Sequence, residues 1–455
     1  MNKTLKHSIL QTLFLFGMLC ASLSFSACSD DDGDNGDNNN NGNNNNGGGG
    51  ETATLSISPV TTDISFSVDA TESYAYTVTT NQTSWDAKVT TADATWCKVE
   101  KTADGKGFTV TANANLKETK QRRASVVVSA KGAKSIVISV IQAEYKPSVA
   151  HIAGIGTEGE ISYYVYWKDG VMQKLGSGIT DGAVSGPSTM CVSGDDVYIL
   201  GADLGEACYW KNGKKTILKE ATAKRTCSIA VDGDDVYVAG QSSEGGGVFG
   251  AYYLKNGVKT QLPAGTSSTV YPSAMAVHNG DIYVIGQERI IGKDGTHACY
   301  WKNGVKISLD TDDAISSSTI AIAFSETDVY ILGRYGYSSC YWKNGERVLI
   351  GNTEPPSSYA SSIVVYGGDI YIGGRETDLT TFKTRACYWK NGIQTYLSDD
   401  LTKDSDVTAI SVYGKTVHCI GSDNKIACYW KDLTRSYFQP NSSISLSFAY
   451  SIFVK

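Results

Sequence analysis

One phrase, Tyr-Trp-Lys-Asn-Gly or a close variant, occurs seven times in this chain, starting at Tyr166, Tyr209, Tyr253, Tyr300, Tyr341, Tyr388 and Tyr429. Its second position recurs at steps of 43, 44, 47, 41, 47 and 41 residues, so the last two-thirds of the chain is one structural unit copied along its length. The period constrains the fold far more than the function. Residues present in every copy build the copy, and only what differs between copies is free to meet a ligand.

Each copy reads as four strands. Between Cys227 and Leu262 the order is CSIAV, the turn DGDD, VYVAG, a variable stretch, AYYLK, the pair NG, and VKTQL. Short runs rich in Val, Ile and Tyr between Gly, Asp and Asn are spaced too tightly for helices. The pairs Asn212-Gly213, Asn256-Gly257, Asn303-Gly304, Asn344-Gly345 and Asn391-Gly392 suit two-residue hairpin turns that need positive φ at both positions. Asp195-Asp196, Asp234-Asp235, Asp281, Asp328 and Asp369 read as turn formers between the first two strands, since carboxylates repeated in every copy suit turns better than catalysis.

Four strands in about 40 to 45 residues, copied several times, describe the blade of a β-propeller. The count gives seven blades, with six or eight as the alternatives. The tail from Ser443 to Lys455 supplies the missing first and second strands. The chain is thus expected to open with the outer half of one blade and end with its inner half. Alternation puts Cys208 and Trp210 on one sheet face and Ala207 and Tyr209 on the other, which makes six of the eight tryptophans inter-blade core.

The first 27 residues read as a secretory signal, with Lys3 and Lys6 ahead of the apolar run Ile9 to Phe25. Phe25-Ser26-Ala27-Cys28 resembles a bacterial lipoprotein box, which would make Cys28 the acylated N-terminus; Phe25 departs from the usual Leu. The SDDDGD that follows is similar to the acidic surface-export signal of Bacteroidota lipoproteins. Residues 28–50 are otherwise an Asn/Gly tract that cannot bury enough apolar surface to fold, and read as a tether. These features imply an outer-membrane, surface-exposed, lipid-anchored protein. The net charge of −7 and the lack of a long basic run argue against a nucleic-acid partner.

Of eleven cysteines, five sit at the same place in different copies (Cys208, Cys299, Cys340, Cys387, Cys428), too far apart to bridge, and read as small buried thiols. With a tight turn at Asp423-Asn424, Cys419 and Cys428 fall opposite each other and form the one candidate disulfide. No Cys/His spacing matches a metal site, and no cofactor motif is present.

Residues 51–146 differ from the ring-forming residues 147–455. Strand-like runs recur about every ten to fifteen residues and predict a β-sandwich, so the fold class is all-β, an immunoglobulin-like sandwich followed by a propeller. Thr95-Trp96-Cys97-Lys98-Val99, Thr109-Val110-Thr111-Ala112-Asn113, Arg122-Arg123-Ala124-Ser125-Val126 and the closing Val140-Ile141-Gln142 resemble BACON domains. That resemblance covers about one-fifth of the chain. It implies an immunoglobulin-like module of Bacteroidota surface proteins, often placed ahead of carbohydrate-active or mucin-associated domains. Cys97 replaces a more usual aliphatic residue, and Trp96 reads as core, so the module is a spacer, a sugar binder or both.

Function is expected where copies differ. The second-to-third loops carry Phe249; Glu288, Arg289, Lys293 and His297; Arg334, Tyr335 and Tyr337; and Arg375, Glu376, Asp378, Phe382, Lys383 and Arg385. The inter-blade loops add Arg225, Tyr271 and Tyr359. Aromatics flanked by Arg and Asp/Glu suit a glycan, whose apolar faces stack on rings while its hydroxyls need polar partners. A carbohydrate or glycoprotein ligand is therefore expected. The alternatives are a protein-interaction scaffold with other outer-membrane proteins, and a glycosidase or lyase built from Glu288, His297, Glu376 or Asp378. No nucleophile elbow or metal cluster supports an enzyme.

Overall fold

The computed structural model describes residues 52–455 apart from 93, 180–189, 223–224, 246–247, 266, 311–314, 352–356 and 439–444. The signal, the tether and Cys28 lie outside the described residues. Residues 54–455 form one compact unit. It is all-β: nine four-stranded sheets, with no α-helix among the described residues.

Two of the sheets build the N-terminal module. One joins Leu55–Ser58, Tyr74–Thr80, Gly107–Ala112 and Cys97–Lys101; the other joins Asp63–Phe66, Ile136–Gln142, Arg122–Ala130 and Trp85–Val89. Alternating side chains of both sheets, among them Phe108, Val110, Val126 and Ile138, meet in one core with Trp96 buried at its edge. The Arg122 guanidinium lies 4.9 Å from the Trp96 ring centroid, so that Trp is a packing residue.

The other seven sheets carry the repeat. Sheets two to seven are consecutive meanders over residues 190–217, 226–262, 268–308, 317–349, 358–396 and 405–437. The first sheet takes three strands from residues 150–179 and its innermost strand, Ser445–Val454, from the C-terminal end. Innermost strands touch in succession from Met190–Ser193 to Ser405–Tyr413, and Ser445–Val454 touches both of these, so the series closes on itself as a β-propeller. Closure is three strands plus one, where two plus two was expected. Ala150–Glu158 is a strand with His151 in the place of the usual Tyr, and the tail contains no Asn/Gly/Asp turn to fold it into a hairpin.

The core lies between sheets. Trp167, Trp210, Trp301, Trp342, Trp389 and Trp430 are all at most 2% exposed, as alternation predicts. The Asn-Gly turns also form as expected, with φ of 50° at Asn212 and 81° at Gly213. Their repeated partners were not expected. Asn212 Nδ2 donates to Asp196 Oδ1 at 2.6 Å, the Val197 amide donates to Asn212 Oδ1 at 2.9 Å, and Lys211 Nζ sits 2.7 Å from Asp196 Oδ2. Lys211 also lies over the Tyr198 ring. The same clip recurs at Asp235, Asp281, Asp328 and Asp369 with Asn256, Asn303, Asn344 and Asn391. The Lys-Asn of the repeated phrase therefore straps the third strand onto the turn between the first two.

Cys419 and Cys428 are not bonded. The turn is at Asn424-Lys425, both at positive φ, so Asp423 faces Ile426, Cys419 faces Trp430 and Cys428 faces Gly421. A one-residue shift of the turn moves the pairing by two positions and parts the sulfurs. All nine cysteines among the described residues are free, and burial pushes the thiols of Cys208, Cys299, Cys340 and Cys387 up to about 12.

Candidate functional site at the variable mouth of the ring

The second strands of the third to seventh sheets carry a glycine after the pattern aliphatic-Tyr-x-x, at Gly240, Gly286, Gly333, Gly374 and Gly421 (His418 replaces Tyr in the last), as does Gly201 in the second sheet. Opposite each of the first five the innermost strand bulges, at Cys227, Ser273, Ile320, Ser361 and Thr408. A Cβ on Gly286, Gly333, Gly374 or Gly421 would fall on the carbonyl oxygen of Tyr271, Ser318, Tyr359 or Asp406 respectively. Only glycine admits that close approach. The bulge adds local twist and re-aims the residues beside it. Where the bulged residue carries a hydroxyl it also ties to the next sheet: Ser361 Oγ donates to Val407 O at 2.6 Å and Thr408 Oγ1 to Ala449 O at 2.7 Å.

The result is one level of side chains on the two strands nearest the axis, away from the Asn-Gly turns. Register places Tyr271 opposite Gln287, Ser318 opposite Arg334, Tyr359 opposite Arg375, Asp406 opposite Ser422, and Phe448 opposite Ile155. Arg225, just ahead of its strand, takes the same place beside Gln241, to whose Oε1 its Nη1 donates at 3.0 Å. The Arg225 guanidinium also stacks 4.3 Å from the Phe249 ring centroid.

Across the fifth to seventh sheets the level is continuous. Arg334 and Arg375 lie 5.1 and 4.4 Å from the Tyr359 ring centroid, and Arg375 Nη1 lies 3.9 Å from Asp406 Oδ2. Asp406 Oδ1 accepts from the Ser422 amide at 3.0 Å and from its hydroxyl at 2.6 Å. Arg334 donates to Tyr337 O at 2.9 Å. Arg225, Tyr271, Arg334, Tyr359 and Arg375 are all half-buried, held in place yet open on one side.

One residue further along, the strand turns its side chains to the opposite face. There Asp203, Glu288, Glu376 and Asp423 are buried and meet the outermost strand of their own sheet. Asp203 pairs with Lys215 at 2.7 Å, Glu288 with Lys306, Glu376 with Gln394 at 2.8 Å and with the Tyr396 hydroxyl, and Asp423 with Arg435 and Tyr437. Burial raises the Glu288 carboxyl, but Lys306, the Ser268 hydroxyl at 2.6 Å and the Gly265 amide at 2.9 Å outweigh it and leave its pKa lowered. Burial and Glu376 together push the Tyr396 hydroxyl up to about 12.

Most residues expected on loops therefore lie on strands. Tyr271, Arg289, Arg334, Tyr335, Tyr359 and Arg375 belong to first or second strands, and Phe249, His297 and Arg385 to third strands, because pairing continues past the glycine almost to the turn. Of the expected residues, Arg225 with Phe249 and Arg334, Tyr359 and Arg375 come together as above, and Tyr271 shares their level. Arg289 is exposed two positions beyond Gln287, while His297 is buried opposite Glu288. Tyr335 packs under Arg347, and Tyr337 and Phe382 are exposed outside the cluster.

Asp378 organises its own loop, accepting from the amides of Thr380 at 3.0 Å and Thr381 at 2.7 Å. Arg385 donates to Ser398 O at 3.0 Å and stacks on Tyr396. Glu376, Asp378, Arg385, Tyr396, Ser357 and Leu379 line a notch of about 240 Å³ on the rim. A larger groove of about 340 Å³, lined by Tyr198, Tyr209, Lys211 and Asn256, lies at the Asn-Gly turns and is walled by repeated scaffold. Gln241, Gln287, Ser318, Asp406 and Phe448 were missed at the sequence level; counting one residue past each repeated glycine would have found the first two.

No protein-family model matches the chain, and no curated protein matches it in sequence. Among solved structures, the chain is similar to a Bacteroides ovatus GH5 xyloglucanase in complex with a XXXG heptasaccharide (27% identity over 20% of this chain and 19% of that one, TM-score 0.18). It is also similar to a Mycobacterium tuberculosis puromycin-hydrolyzing peptidase (11%, 64% and 54%, TM-score 0.46). A third is the β-propeller domain of the Trilobed protease from Pyrococcus furiosus (9%, 76% and 99%, TM-score 0.40). The chain thus spans about a fifth and about half of the first two. The propeller assignment stands on the sheet order and the contacts that close it.

Proposed function

We propose that this chain is a surface lipoprotein whose seven sheets are the blades of one propeller and whose variable mouth binds a glycan or glycoprotein. In this reading Cys28 carries lipid, the Asn/Gly tract is a tether from the outer membrane, and the immunoglobulin-like module is a spacer. The observation that carries it is the Arg334, Tyr359, Arg375 and Asp406 cluster, an aromatic ring among charged donors and an acceptor at the axis. A saccharide needs that combination, a flat apolar contact rimmed by groups that bond hydroxyls.

Catalysis is disfavoured by the same geometry. Glu288, Glu376 and Asp378 each hold partners within the protein, and a carboxyl with a lowered pKa, as at Glu288, is a poor proton donor near neutral pH. A partner-docking scaffold is the second reading, supported by Tyr337 and Phe382 at 82% and 77% exposure on the same side.

The test is a glycan array probed with the full chain. Retention that drops about fivefold or more in Tyr359→Ala, with unchanged thermal unfolding, is expected, since losing a stacked aromatic contact costs on the order of 1 kcal/mol. A blank array with folded protein, together with capture of a partner lost in Tyr337→Ala/Phe382→Ala, would move the assignment to the scaffold.

A further inference from the structure

The charge at the mouth is not balanced. Arg225, Arg334 and Arg375 share the level one residue past the glycine, and on the fourth sheet exposed Arg289 lies two positions beyond Gln287 of that level. The hydrogen-bond acceptors of Arg225 and Arg334 are neutral, an amide oxygen and a backbone carbonyl. Arg375 forms a long ion pair with Asp406 Oδ2 at 3.9 Å, and the other oxygen of that carboxylate accepts from Ser422, so one carboxylate faces the three guanidinium groups. The acids one position further along the second strands, Asp203, Glu288, Glu376 and Asp423, point to the other face, where Asp203, Glu288 and Asp423 pair with Lys215, Lys306 and Arg435 and Glu376 bonds Gln394. Strand alternation thus turns these four acids toward the outer strands and leaves Asp406 as the one carboxylate among the described residues of the level that Arg225, Arg334 and Arg375 share. In a chain whose net charge is −7, this leaves a local positive site framed by aromatic rings.

Resting on the glycan reading above, we propose that the mouth selects saccharides bearing an anionic substituent, a carboxylate or a sulfate, seated between Arg334 and Arg375 against Tyr359. A guanidinium presents a planar fork that matches either group bidentately, and Arg is less strongly hydrated than Lys, so a half-buried Arg pair gives up little on meeting an anion. The flanking ring supplies the apolar contact that separates a sugar acid from a bare ion.

The experiment titrates the full chain with three oligosaccharides of equal length, one neutral, one a uronate and one sulfated, and with polyglutamate as a polyanion without sugar, at low and high salt. Either charged saccharide is expected to bind at least about tenfold more tightly than the neutral one, the tighter of the two identifying the substituent. Arg334→Gln and Arg375→Gln should each lose about tenfold, as for one charge-assisted hydrogen bond. Should those variants unfold, exposed Arg289→Glu must still weaken the charged saccharide and spare the neutral one.

Equal or tighter binding of the neutral saccharide overturns the anionic selectivity while the glycan reading survives. Equal binding of polyglutamate overturns the saccharide part of the proposal. Failure of every saccharide to bind overturns both.

Discussion

Gly374 is the residue on which the mouth turns. Its hydrogen faces the carbonyl oxygen of Tyr359, and any side chain there must push the innermost strand away from the second. Gly374→Ala is expected to cost about 1–3 kcal/mol, as overpacking does, and to be read as a lowered denaturant midpoint. A midpoint equal to the parent would mean that the bulge relaxes freely and does not position Tyr359. The pattern aliphatic-Tyr-x-x-Gly was visible in the sequence. Its reason was not, because the atom that excludes a Cβ comes from the strand alongside, more than ten residues earlier.

At the scale of the element, the second to sixth repeats are each held by a clip of Asp, Lys and Asn. Asp196, Asp235, Asp281, Asp328 and Asp369 all have pKa values lowered below 3.8, first by the lysine and then by the asparagine. A carboxylate whose folded pKa is depressed contributes stability that is present above its unfolded pKa and lost as pH falls through the folded value. The thermal midpoint should therefore hold at neutral pH and decline below about pH 4. Asp281→Asn, which keeps an amide partner but no charge, should lower the neutral midpoint and flatten the acid slope; an unchanged slope would show that the clips do not govern acid stability. The turns themselves were legible because Asn-Gly chemistry is local. The Cys419 and Cys428 pairing failed on a one-residue turn shift, since Asn424-Lys425 and Asp423-Asn424 are both plausible turns from composition and only the strand faces decide between them.

For the whole molecule, closure depends on Ser445–Val454. This strand completes the first sheet and contacts the innermost strands of the second and seventh. Its hydrogen bonds to the ring include the Val454 amide to Ser411 Oγ at 3.1 Å and the Thr408 hydroxyl to Ala449 O. Ending the chain at residue 444 should open the ring, exposing the inner edge of Ala150–Glu158, and yield a protein that unfolds non-cooperatively or aggregates. A truncated chain with a sharp, parent-like transition would mean that closure is dispensable. Such a ring cannot tolerate loss of one innermost strand as an open stack of repeats can, because each sheet leans on two neighbours.

Sequence alone determined the all-β class, the Asn-Gly turns and the burial of the repeated tryptophans, because each depends on residues close together in the chain: positive φ at Asn-Gly, period-two alternation, a repeated phrase. Tertiary structure decided which variable residues meet. Arg334, Tyr359, Arg375 and Asp406 come from three sheets and span more than seventy positions, and what joins them is the bulge opposite each glycine and the closing of the ring. Register and closure depend on pairings between distant strands, and those pairings place one face of a strand toward the mouth and the other toward the outer edge.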